Sequence, residues 1–159
     1  MLKKISILSL ICILSGCGFH LQGKHVFSPV IQNLAIIPGG HNSFQNLLKD
    51  SLQNNGINIK DTDIRNVAIL EINDPVISEQ IQGYDSKGQI SQYRLTSSCS
   101  YKLFAENGKI LLQNTINRSR TYAVTPNRLL SNASQQQIIS EELTVEIVNE
   151  LLRQLSKCC

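Results

Sequence analysis

Between Tyr93 and Leu103 the residue types alternate so strictly that the two faces of an extended strand can be assigned. Tyr93, Leu95, Cys99, Tyr101 and Leu103 fall on one side, and Arg94, Thr96, Ser98, Ser100 and Lys102 on the other, the two-residue period of a strand with one buried and one wet face. Glu106-Asn107-Gly108-Lys109 then carries an Asn-Gly turn signal, and Ile110 to Tyr122 returns as a long partner strand, so the middle of the chain is a hairpin. An apolar hairpin face has to be covered by another layer.

The flanking sequence supplies that layer. Leu34-Ala35-Ile36-Ile37, closed by Pro38-Gly39-Gly40, reads as a buried strand ended by a loop. Phe44, Leu47, Leu48, Ser51 and Leu52 follow at helical spacing, with Asn42 or Ser43 as cap and Gly56 as stop. Ile57-Asn58-Ile59 and an Asp61-Thr62-Asp63 turn lead to Val67–Ile72, a strand interrupted at Asp74-Pro75 and continued after a bend by Val76–Tyr84. After Pro126 a Gln-rich stretch opens a helix from about Ser134 to Leu155. Its Val145, Ile147, Val148, Leu151, Leu152 and Leu155 fill a broad arc, with Ile139 and Leu143 beyond it, which predicts burial on more than one side. The order strand, helix, three strands, helix predicts a single α+β domain over residues 31–157, with two helices packed on a mixed four-stranded sheet.

The first residues carry an address. Lys3 and Lys4 precede an apolar run, Ile5–Leu14, too short to span a hydrocarbon core of roughly 30 Å. Leu14-Ser15-Gly16-Cys17 resembles the lipobox, which implies cleavage of residues 1–16 and a covalent lipid, diacylglycerol plus an N-acyl chain, on Cys17. More than one acyl chain is what stable anchoring requires. Gly18 rather than Asp follows the cysteine, and by the usual sorting rule this implies the outer membrane. Residues 17–30 then read as a tether between lipid and fold.

Of fifteen basic residues Lys3 and Lys4 leave with the signal, so thirteen face twelve acidic ones, a balance that predicts no nucleic-acid partner. With Cys12 lost and Cys17 blocked, Cys99, Cys158 and Cys159 remain in a compartment that favours disulfides. A link from Cys158-Cys159 to Cys99, a link to a partner, or none are all open, and Cys99 reads first as a small buried hydrophobe. His20, His25 and His41 lie near loops and read as polar tether residues. Asp61 and Asp63 lack the glycine and distal glutamate of a calcium loop and read as turn formers. No zinc spacing, phosphate-cradling glycine loop, Gly-x-Ser-x-Gly or His-Glu-x-x-His is present. The expectation is a non-enzyme without metal or cofactor.

Cys17-Gly18-Phe19-His20-Leu21 resembles the mature amino terminus of the lipopolysaccharide-assembly lipoprotein family, LptE. The similarity runs on through Pro38-Gly39, a helix ending near Asn55-Gly56, Gly88-Gln89 before the strand entered at Tyr93, and a Gln-rich start to the last helix. Two features depart from the family: the polar low-complexity tail is absent, and Cys158-Cys159 is foreign to it. The resemblance implies a partner, the large LptD β-barrel of the outer membrane, whose lumen this domain would plug and whose assembly it would aid. It also implies contact with lipopolysaccharide, whose phosphates call for basic side chains; Lys87, Arg94, Arg118, Arg120 and Arg128 are the candidates as a set. The competing reading of Arg118 and Arg120 is as charges on an edge strand that discourage pairing, and of Arg94 as a residue facing water. A lipoprotein of general barrel assembly or of cell-wall attachment would carry the same signal, and a hydrolase with scattered Ser, His and Asp is not excluded by spacing.

Overall fold

The computed structural model describes residues 27–40, 42–60, 66–125 and 128–158. The signal, Cys17, the three histidines, the Asp61–Asp63 turn and Cys159 lie outside the described residues. A single 3₁₀ turn, Pro29–Ile31, leads into β1 (Asn33–Pro38), α1 (Asn42–Asn54), β2 (Asn58–Ile59), β3 (Ala68–Ile72), β4 (Val76–Tyr84), β5 (Ile90–Phe104), β6 (Ile110–Ala123) and α2 (Leu129–Ser156).

Six strands form one mixed sheet, where the sequence predicts four. The surplus has a simple origin. β2 is a two-residue parallel addition to β1, too short to leave a periodic signal. β3 and β4 both pair antiparallel with β5, β3 along Tyr101–Phe104 and β4 along Ile90–Ser98. They occupy one edge of β5 in succession, with the Asn73 N–H donating to the Ser100 carbonyl between them, and Pro75 breaks the ladder because it has no donor. β1 lies parallel to β3 with α1 and β2 in the connection, as a parallel pair requires.

β5 and β6 form the hairpin, with Leu103 opposite Leu112 and Tyr93 opposite Tyr122. Its turn is closed by the Ala105 N–H on the Lys109 carbonyl and the Gly108 N–H on the Ala105 carbonyl, at 2.8 Å each. Gly108 has φ +78°, a conformation that costs other L-residues about 1 kcal/mol or more. The β4–β5 turn repeats the device, with Asp85 and Gln89 closing it around Gly88 at φ +75°.

α2 starts five residues before the expected Ser134. Its first turns offer no apolar period because they stand clear of the core: Leu130 is 87% exposed and Ile138 55%, and packing begins at Ile139. The expected arc is also revised. Val145 is 44% exposed, on the rim of a groove it shares with Phe44 and Leu47 of α1. Ile139 and Leu143 are buried against Leu95 and Tyr122 of the hairpin, and toward its carboxyl end α2 gains α1 as a second cover. That second cover buries Val148, Leu152 and Leu155 beside Phe44, Leu48 and Leu52 of α1.

The core is thereby divided. One cluster joins α1, β1, β3 and the carboxyl-terminal half of α2; a smaller one joins Leu95, Tyr122, Ile139 and Leu143. Between them on the helix face of β5 lies Ser97, fully buried, its hydroxyl without a hydrogen-bond partner among the described residues. Cys99 is a free thiol, buried and donating to the Asn73 carbonyl at 3.1 Å. Cys158 is disulfide-bonded, so the link to Cys99 left open by the sequence is not made. Burial first, and then the Asp74 carboxylate, push the Cys99 thiol up to about 11.

Candidate functional site

The five basic candidates separate by sheet register. In β6 the even residues share the α2 side of the sheet, because Ser97 pairs with Arg118 and Leu95 with Arg120. Arg118 reaches Glu150 at 2.6 Å, and Arg120 bridges Glu142 and Glu146. These arginines sit on an edge strand as expected, but they neither face outward nor guard the edge; they fasten β6 to the acidic stripe of α2. Glu150 also accepts from the Arg153 Nε at 2.9 Å and from the Gln154 amide at 2.8 Å. The Arg153 hydrogen bond, then the Gln154 one and the charges of Arg118 and Arg153, hold the Glu150 carboxyl down at about 2 against the opposing effect of burial. The Gln154 oxygen in turn accepts from the Tyr101 hydroxyl at 2.6 Å and the Asn114 amide at 3.1 Å. Burial, and then Glu150, raise the Tyr101 phenol above its ordinary value.

Lys87, Arg94 and Arg128 make no ion pair among the described residues. Lys87 is exposed in the β4–β5 turn and Arg128 is exposed at the start of α2. The two belong to one end of the domain, because Val124 of the β6–α2 connection donates to the Ser91 carbonyl at 2.9 Å and Asn132 exchanges two hydrogen bonds with Thr125. The amino terminus of α2 has no acidic residue in its first turn, which leaves its partial positive charge uncompensated. Arg94 points the other way, onto the face of β5 opposite Tyr93.

A cavity of about 420 Å³ opens at this end, lined by β4, β5, β6 and the first turns of α2. Tyr93 and Tyr122 form one wall, their ring centroids 6.0 Å apart and the planes inclined by 28°. The Tyr122 hydroxyl donates to Glu79 at 2.5 Å. Burial first, and then this bond, raise the Tyr122 phenol well above its ordinary range. None of Glu79, Tyr93, Tyr122 and Gln136 stands out in the sequence as a site residue. The one available signal was the hairpin register, which places the two tyrosines opposite each other.

The face of β4, β5 and β6 turned away from α2 is the other open feature. Register builds it from cross-strand rows: Gln80, Arg94 and Thr121; Ser78, Thr96 and Ser119; Val76, Ser98 and Asn117. Ser100 and Thr115 follow, their hydroxyls 2.9 Å apart, and then Glu71, Lys102 and Gln113. Hydroxyls and amides dominate, and of these fourteen residues Arg94, Lys102 and Glu71 carry charge, close to the lower end of the range of about a quarter to a third usual for a protein surface. The rows from Ser78 to Thr115, between Arg94 and Lys102, carry none. No group of metal-ligating side chains occurs among the described residues, and no described helix is long and apolar enough to cross a membrane, which says nothing of a β-barrel.

Comparison with known proteins gives this architecture relatives. A family model described as lipopolysaccharide-assembly, LptE, matches residues 24–155. The LPS-assembly lipoprotein LptE of Photorhabdus laumondii is 21% identical over 147 residues, 91% of this chain and 80% of that protein. The crystal structure of rare lipoprotein B from Shewanella oneidensis superposes with a TM-score of 0.70 at 16% identity, over 78% of this chain and 93% of the other. Lipoprotein B of Nitrosomonas europaea gives 0.69 at 16% identity, over 87% and 90%, and a minor lipoprotein of Acinetobacter baumannii 0.66 at 15%, over 80% and 92%. At these identities the structural likeness is one of fold.

Proposed function

This chain belongs to the LptE family of lipopolysaccharide-assembly lipoproteins, and from that premise we propose that it stands in the lumen of one large outer-membrane β-barrel, an LptD-like protein, helping it assemble and filling its bore. Residues 1–16 are its signal, Cys17 its lipidated first residue and residues 17–30 its tether, so the domain is held at the outer membrane by acyl chains. The observation that carries the reading is the hydroxyl- and amide-rich face of β4–β6, whose central rows, Ser78-Thr96-Ser119, Val76-Ser98-Asn117 and Ser100-Thr115, hold no charge. A barrel well beyond eight strands has a polar lumen that leaks unless filled. Hydroxyls and amides exchange water for protein partners at far lower cost than charges do, so this face suits a polar wall better than a typical charged surface would. A photo-crosslinking residue placed at Asn117 or Thr121 is expected to trap a single large barrel protein in living cells; adducts with many proteins, or none, contradict the placement.

Lipopolysaccharide contact belongs to the same reading. Lys87 in the β4–β5 turn and Arg128 at the amino terminus of α2, both without an ion pair among the described residues, are the basic side chains best placed to meet phosphate, with Arg94 turned toward the barrel wall. Arg118 and Arg120 are occupied by α2 and drop out of the set. Lys87→Asp with Arg128→Asp is expected to weaken lipopolysaccharide binding while leaving the circular dichroism spectrum unchanged; unaltered binding refutes the assignment.

A further inference from the structure

We propose that the cavity at the β4–β5–β6 end is a saccharide site that takes one sugar ring of a phosphorylated glycan. The proposal rests on the lipopolysaccharide reading above and goes beyond it by naming which part of such a molecule enters the protein and where. The cavity's lining is of two kinds. Tyr93 and Tyr122, extended by Ile90 and Val124, make an apolar wall, the surface that suits the C–H face of a pyranose. Facing it are polar groups with unused capacity. Glu79 has one carboxylate oxygen fixed by the Tyr122 hydroxyl and the other free to accept. The side-chain amides of Gln89 and Gln136 make no hydrogen bond among the described residues, and each offers both donor and acceptor.

Such a lining discriminates between ligand classes. An acyl chain would strip water from Glu79, Gln89 and Gln136 and return no hydrogen bond, at about 1–3 kcal/mol for each group so stranded. A bare phosphate would enter a cavity that holds a carboxylate and no cation among its lining residues, which like-charge repulsion opposes. A sugar ring satisfies both walls, its hydroxyls pairing with the carboxylate and amides. Lys87 and Arg128 do not line the cavity but belong to the same end, at the turn and the helix start that flank it. This places the phosphate at the rim and the ring inside, and a volume of about 420 Å³ lies within the usual range for small-ligand sites.

The test uses the full-length lipidated protein in detergent, with glucosamine 1-phosphate as probe and saturation-transfer NMR as readout. Ring protons are expected to receive saturation in the wild type and to resist displacement by inorganic phosphate. Gln136→Leu, which keeps a good helix former at a half-exposed site, and Tyr93→Ala are each expected to weaken the probe roughly tenfold, the equivalent of about 1.4 kcal/mol. No saturation of ring protons, complete displacement by inorganic phosphate, or equal saturation in wild type and both variants overturns the proposal. Parallel capture of lipopolysaccharide separates the two readings. Capture without ring saturation defeats the sugar site and leaves the lipopolysaccharide reading standing; ring saturation without capture does the reverse.

Discussion

Replacing Glu150 with glutamine probes the joint between α2 and the hairpin at its most electrostatic point. Glu150 is only 9% exposed and meets Arg118, Arg153 and Gln154. A carboxyl held at about 2 instead of 4.5 corresponds to at most about 3 kcal/mol of stability at neutral pH. The side chains of Arg118 and Arg153 are 37% and 48% exposed, so solvent screening reduces this to about 1–2 kcal/mol. Because the folded value is the lower one, the contribution is fully present above about 4.5 and is lost as the pH falls through 4.5 toward 2. Urea unfolding followed by circular dichroism should therefore show Glu150→Gln less stable by about 1–2 kcal/mol at pH 7, or roughly 3–6 °C in Tm for a chain of this size. The gap should shrink progressively below pH 4.5. Equal stability at pH 7, or a deficit that persists unchanged near pH 2.5, would refute the charge-pair account.

Three further outcomes follow from the packing. Ile147→Ala, at a fully buried site where α2 meets the sheet, should cost about 2–5 kcal/mol in denaturant unfolding; a loss under 1 kcal/mol would mean that α2 is not seated as described. Tyr101→Phe removes the 2.6 Å donor to Gln154 and should cost about 0.5–1.5 kcal/mol, measured in the same way, with Glu150→Gln and Tyr101→Phe failing to add because they share one network. Cys99, with its thiol raised to about 11, should resist thiol reagents at pH 8 until the protein unfolds; rapid labelling of native protein would contradict its burial.

The fold was legible wherever one face of an element is buried and the other is wet. β5 announces itself because every second residue from Tyr93 to Leu103 must leave water, and α1 because Phe44, Leu48 and Leu52 share one face. Legibility failed where burial does not alternate. β4 is exposed at nearly every residue, so its separate identity depends on backbone pairing with β5 and not on side-chain pattern. The first turns of α2 have no apolar face because nothing covers them. The roles of Arg118 and Arg120 were hidden for another reason: their partners Glu142, Glu146 and Glu150 lie in a different element, and a surface charge and a cross-element clamp look alike in sequence. A usable signal was there. Two arginines at a strand spacing of two, paired with three glutamates at a helical spacing of four, can fasten one strand face to one helix face. The candidate site at the β4–β5–β6 end was half legible. Lys87 and Arg128 were legible as cations near loops, whereas Glu79, Tyr93, Tyr122 and Gln136 converge only through tertiary register.

The proposed role stands or falls on its partner, and depletion distinguishes it from general barrel assembly by lowering one barrel protein instead of many. The most direct measurement is affinity recovery of the tagged, lipidated protein from detergent-solubilised outer membranes, followed by quantification of what co-purifies. One large β-barrel protein in equimolar amount, retained through stringent washing, is the predicted result. Recovery of no barrel, or of many in trace amounts, would contradict it.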